Sequence, residues 1–135
     1  MTLPVRHISE SIQKSPAEVY AFASHPLNLP QWASGLSTGI ENIRGEWIAE
    51  SPMGRVKVRF ADQNSFGILD HDVTLPDGVT VTNPMRVIKN EEGSEVVFSL
   101  FKLPGVNEAD YERDAELIKT DLRKLRDILE GTDRK

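Results

Sequence analysis

One histidine carries the sharpest chemical signal in this chain. His71 lies in the string Asp70-His71-Asp72, and an imidazole can give or take a proton near neutral pH. Neighbouring residues on a strand point to opposite faces. A strand over Gly67 to Leu75 therefore groups His71 with Leu69, Val73 and Leu75, and sets Asp70, Asp72 and Thr74 on the other side. That turns His71 inward, among apolar side chains, as a general acid or base. The competing reading is a buried histidine hydrogen-bonded to a neighbouring strand or to Tyr111. Both carboxylates leave on the face opposite the imidazole, so the three residues do not make a metal site, and no metal is expected.

Trp32, Trp47, Phe60, Met85, Phe98 and Tyr111, together with Leu69, could line a cavity for a hydrophobic or aromatic small molecule. Ordinary core packing accounts for each of them equally well. Arg86 follows Pro84, and a proline cannot donate to a ladder and often marks a bulge, so alternation does not fix the direction of Arg86. Pointing inward, it could pair a ligand carboxylate or enolate; pointing outward, the reading we favour, it is a solvated cation. Gly35-Leu36-Ser37-Thr38-Gly39 matches the nucleophile-elbow string, but that motif needs a strand before it and a helix after it, the reverse of the order here. We read the stripe Arg55, Lys57 and Arg59 as a solvated strand face rather than a docking surface.

These residues must be positioned by elements that the spacing predicts. Val5 to Gln13 reads as a strand. Ser15-Pro16-Ala17-Glu18 starts a short helix, with Ser15 as cap and Pro16 at the first helical position. Pro26 ends that helix and suits the first turn of a second, running toward Trp32 and Ala33. Six further strands follow, over Ile40 to Arg44, Glu46 to Ser51, Arg55 to Ala61, Gly67 to Leu75, Val79 to Lys89 and Ser94 to Leu103. Their separators, such as Gly45, Pro52-Met53-Gly54 and Pro76-Asp77-Gly78, carry the turn chemistry of antiparallel hairpins. Val56, Val58, Phe60, Val79, Val81, Val96, Phe98 and Leu100 extend the inner face. From Asn107 the period turns helical: Tyr111, Ala115, Ile118, Leu122, Leu125 and Leu129 form one apolar stripe ending near Gly131, ahead of a charged tail. A sheet with one apolar face and one amphipathic helix must bury the two together, which makes an α+β domain spanning residues 1–135.

Composition narrows the function classes. With 39% apolar and 27% charged residues, the chain has the make-up of a folded domain. Its formal charge of -5 is the wrong sign for gripping phosphate backbones, so nucleic acid is not an expected partner. The absence of cysteine excludes disulfides, thiolate metal sites and thiol nucleophiles. No apolar run approaches the roughly twenty residues of a membrane span, and the first residues lack the apolar segment of a secretory signal. We expect a cytoplasmic protein.

The order strand, two short helices, six strands and long helix, with Ser15-Pro16-Ala17-Glu18-Val19-Tyr20-Ala21-Phe22 and Leu29-Pro30-Gln31-Trp32-Ala33, resembles the START-like, or SRPBCC, superfamily. Gly67-Ile68-Leu69-Asp70-His71-Asp72-Val73, Asn83-Pro84-Met85-Arg86-Val87 and Gly93-Ser94-Glu95-Val96-Val97-Phe98 resemble its bacterial members labelled polyketide cyclase or dehydratase-like. The resemblance covers nearly the whole chain. It implies the helix-grip fold, a seven-stranded curved antiparallel sheet around a long C-terminal helix, and an apolar or aromatic molecule bound between sheet and helix. Cyclases, lipid carriers, hormone receptors and chaperone activators share that fold without a common catalytic set, so fold does not fix function.

Three functions fit these residues. The first is a cyclase or dehydratase acting on a polyketide-like substrate, with His71 moving the proton. The second is a carrier or sensor in which the same cavity holds a lipid or aromatic metabolite. The third is an interaction protein that works through its outer surface. No cofactor is expected for any of them, and the sequence sets no oligomeric state.

Overall fold

The computed structural model describes residues 1–36 and 39–131. Ser37 and Thr38 of the elbow-like string, and the charged tail 132–135, lie outside the described residues. The chain forms β1 (Val5–Ile12), α1 (Pro16–Ala23), a 3-10 turn (Pro26–Asn28), α2 (Leu29–Trp32) and a second 3-10 turn (Ser34–Leu36). It continues with β2 (Ile40–Ile43), β3 (Glu46–Ser51), β4 (Gly54–Phe60), β5 (His71–Thr74), β6 (Thr80–Asn83), β7 (Met85–Asn90), β8 (Gly93–Phe101) and α3 (Glu108–Glu130).

Local chemistry explains the boundaries. Ser15 caps α1 by accepting from the Glu18 N–H, with Pro16 in the first turn. The second helix is shorter than expected because Pro30 has no N–H to return to Pro26; Leu29 instead closes a 3-10 turn onto the Pro26 carbonyl. Arg44 (φ 54°) and Gly45 (φ 86°) form the two-residue turn between β2 and β3, both in the left-handed region a type I′ hairpin needs. Asn107 caps α3, accepting from the Asp110 N–H at 2.8 Å, and Gly131 ends it at φ 75°.

The sheet departs from the seven strands expected. Among the described residues, eight antiparallel strands form two sheets, ordered β1-β8-β7 and β2-β3-β4-β5-β6. The segment read as one strand over Val79 to Lys89 is split at Pro84: Asn83 pairs with His71 in one sheet, and Met85 pairs with Phe98 in the other. A proline offers no N–H to either ladder, so the chain changes partners there. The segment read as a strand over Gly67 to Leu75 is divided in the same way. Its first residues run against β7 through an Ile68–Arg86 bridge, and only His71–Thr74 runs between β4 and β6. Val79, expected on the inner face, is exposed just ahead of β6.

The core lies between the sheets and α3. Ile8, Ile12, Val56, Val58, Leu69, Met85, Val96 and Phe98 meet Ala115, Leu122 and Leu125 of the helix, with Val19, Ala23, Leu29 and Trp32 closing one end. Tyr111 is buried at the start of the helical stripe, and Ile118 and Leu129 are partly buried against the core. The architecture is α+β, antiparallel sheets against a long C-terminal helix, consistent with a helix grip. No helix among the described residues is long and apolar enough to cross a membrane.

Candidate functional site

His71 is the first residue after the point where the chain leaves one sheet for the other, and Asp70 fixes that point. Pro84 breaks the strand, so the Met85 N–H has no ladder partner of its own; it donates to the Asp70 carboxylate at 2.9 Å. The same carboxylate receives the Arg86 guanidinium. The Asp70 carbonyl accepts from the Ala61 N–H at 2.8 Å, and the Leu69 N–H donates to the Met85 carbonyl at 2.9 Å. Two consecutive residues, Leu69 and Asp70, thereby tie both sheets and the Arg86 side chain together.

His71 Nδ1 lies 3.0 Å from the Leu69 carbonyl oxygen. A carbonyl only accepts, so Nδ1 carries the hydrogen, and in the neutral ring Nε2 keeps its lone pair. The ring sits between Phe60, with centroids 5.1 Å apart, and Phe98, at 5.9 Å. Packing between these rings lowers the His71 pKa, because the charged form loses its water; the Leu69 hydrogen bond and the Asp70 and Asp72 charges oppose that shift without overcoming it. The imidazole is therefore a neutral base at neutral pH.

An open cleft of about 260 Å³ lies at this point of the sheet, lined by Phe60, Ala61 and His71 together with the charged residues Arg59, Asp62, Asp70 and Asp72. Three carboxylates against one guanidinium make the opening unfavourable for an anion. Asp72 accepts from the Thr82 hydroxyl at 2.6 Å and Asp70 is committed to Arg86, so neither carboxylate is hydrogen-bonded to the imidazole. Among the described residues no cluster of three metal-ligating side chains occurs.

The structure brings only part of the expected set together. Phe60, His71 and Phe98 are in ring contact, Met85 pairs across from Phe98, and Leu69 bonds to Met85. Leu69 and Met85 are fully buried core residues. Arg86 turns to Asp70 with its side chain 43% exposed, as an ion-paired cation rather than a purely solvated one. Tyr111 donates its hydroxyl to the Leu100 carbonyl at 3.0 Å and lies under the Arg6 guanidinium, so it is not the partner of His71. Trp47 pairs with Val58 on β4 and is partly buried. Trp32 is buried, and its indole N–H has no hydrogen-bond partner among the described residues.

Sequence reasoning missed Asp70 as the pin of the junction and Asp62 as a lining residue. The available signal was Pro84: a proline inside a strand leaves the following N–H in need of an acceptor, and Asp70, just ahead of β5, supplies one.

No protein-family model matches the chain, and no curated protein matches it. Solved structures do. The solution structure of the KanY protein superposes with a TM-score of 0.74 at 14% identity, over 97% of this chain and 100% of that one. The crystal structure of Ara h 8.0201 gives 0.67 at 12% identity, over 96% and 99%. DynU16, a protein of the dynemicin biosynthetic locus, gives 0.69 at 13% identity, over 93% of this chain and 47% of that one. At these identities the likeness is one of fold.

Proposed function

We propose that the chain binds an uncharged hydrophobic or aromatic molecule beside His71 and moves a proton on it, as a polyketide cyclase- or dehydratase-like enzyme. The observation that carries this reading is a neutral imidazole anchored through Nδ1, with Nε2 unbonded among the described residues and two aromatic rings against it. Phe60 and Phe98 supply flat apolar contact, and the excess of carboxylates around the cleft favours an uncharged ligand over an anionic one. A base held in this way raises a rate by a factor on the order of 10² to 10⁴. The kinship in fold with DynU16 agrees with a biosynthetic substrate. A carrier that holds its ligand unchanged is the second reading, favoured by the unpartnered Trp32 N–H, which needs an acceptor but performs no chemistry.

Native mass spectrometry of freshly purified protein, followed by denaturation and analysis of what is released, tests the site. NMR titration of the empty protein with 2-naphthol provides the second measurement. The expected result is a retained apolar compound that is lost in Phe98→Ala, or a saturable shift of the His71 Nε2 resonance by the naphthol. Protein that is empty after gentle purification and a His71 resonance indifferent to the naphthol would overturn the site. Conversion of the retained compound by the wild type but not by His71→Gln supports the enzyme; recovery of the compound unchanged leaves the carrier.

A further inference from the structure

The edge of the first sheet is the second place where unsatisfied chemistry collects. Among the described residues β1 pairs with β8 on one side only. The Lys102 N–H donates to the Pro4 carbonyl at 2.9 Å, one position beyond the Val5–Phe101 pair. Bonded pairs alternate along an antiparallel ladder. Arg6, Ile8, Glu10 and Ile12 therefore direct their backbone groups to β8, and Val5, His7, Ser9 and Ser11 direct theirs away from it. The Ser99 N–H, which turns the other way to the Pro84 carbonyl at 3.0 Å, fits the same alternation across β8. So does Gln13: its N–H, at the outward parity, donates to a carboxylate oxygen of Glu130 on α3 at 2.7 Å. The helix thus satisfies the edge just past the end of β1, while Val5, His7, Ser9 and Ser11 are exposed.

A groove of about 510 Å³ runs beside this edge, between β1 and α3. Its charged lining is Arg6, Glu10, Lys119 and Arg123, net positive on a chain whose formal charge is -5. Arg6 is held by Glu112, Lys119 lies 3.3 Å from Glu116, and Glu10 is held by Arg126. Arg123 is exposed and makes no ion pair among the described residues. None of the residues around His71 takes part.

We propose that this edge docks an extended acidic segment of a partner protein, which adds to β1 as a further strand. Main-chain bonds to His7 and Ser9 supply the attachment, and Lys119 and Arg123 select acidic side chains. The bond that Glu130 accepts from Gln13 shows a carboxylate meeting an outward N–H just past the end of this same edge.

A synthetic peptide alternating valine and glutamate is the probe, read by hydrogen exchange and amide shifts on the full chain. The expected result is saturable binding that protects the Val5, His7, Ser9 and Ser11 amides. Binding should weaken by about tenfold or more in a Lys119→Glu, Arg123→Glu double variant. It should vanish when alternate peptide nitrogens are methylated, which keeps the charge but removes the donors, and a valine–lysine peptide should not bind. Equal binding of the methylated peptide, no protection of these amides, or no binding at all would overturn the proposal. Protection of the same amides without peptide, in a self-associated species, would also overturn it by giving the edge to a second copy.

Discussion

The imidazole of His71 and the carbonyl of Leu69, two residues earlier in the chain, are joined by a 3.0 Å hydrogen bond that decides which nitrogen is free to react. Because the acceptor is a backbone carbonyl, it holds the Nδ1–H tautomer without adding a charge. Nitrogen-detected NMR at pH 7.5 should find His71 neutral with Nε2 unprotonated. The opposite tautomer would mean that the Leu69 carbonyl does not anchor the ring in solution.

The lowered pKa of His71 makes folding stability depend on pH in a defined direction. Burial between Phe60 and Phe98 depresses the folded-state value, so below the ordinary histidine value of about 6.5 the unfolded chain binds the proton first. The contribution is fully present above that value and is lost as the pH falls toward the folded-state pKa. Urea unfolding at pH 7.5 and 5.5 should show a fall in the midpoint that is smaller in His71→Gln. An identical fall in both proteins would assign the effect elsewhere.

Asp70 serves two donors that Pro84 and its neighbour leave in need, the Met85 N–H and the Arg86 guanidinium. Asp70→Ala strips the acceptor from a backbone N–H at the junction of the sheets and should cost about 1–3 kcal/mol, read by denaturant unfolding. Asp70→Asn keeps an acceptor for Met85 and should cost less. Equal losses would mean that the Arg86 pair, half-exposed and screened, matters more than the backbone bond.

These residues also mark what was legible in the sequence. The turn of His71 toward core Phe98, the α3 stripe from Tyr111 to Leu129 and the Asn107 cap follow from periods of two and 3.6 and from capping chemistry, which act locally. The Pro84 break was visible as a proline, but its consequence was not: whether a strand bulges or changes sheets depends on a partner fifteen residues away, here Asp70 with Met85. The Nδ1 anchor, the Phe98 contact and the lone Trp32 N–H arise from long-range packing, which alternation along one strand does not encode.

Gly67 stands where the chain crosses β7, at φ 73°, with its carbonyl accepting the Val87 N–H at 2.9 Å. A Cβ there would collide with the Val87 carbonyl oxygen, which is backbone and cannot swing aside. Gly67→Ala should therefore cost at least about 2 kcal/mol, from the left-handed backbone and the clash together. Gly45 separates the two effects, because at φ 86° a Cβ would meet nothing within 4 Å. Gly45→Ala should cost only about 1–2 kcal/mol, the conformational part alone. Equal losses in thermal or urea unfolding would show that the β7 crossing relaxes.

The grip on α3 is testable at two leucines of the same helix. Leu125 is fully buried against the core, whereas Leu117 is 49% exposed. Truncating Leu125 to alanine removes packed methyl groups and leaves a cavity between helix and sheet, at a cost of about 2–5 kcal/mol. Leu117→Ala exchanges a surface leucine for a better helix former and should stay within about 0.5 kcal/mol of the parent. Denaturant unfolding of both variants reads the difference directly. If Leu117→Ala were as damaging as Leu125→Ala, the outer face of α3 would be packed in solution, and the helix would carry a second interface opposite the sheet.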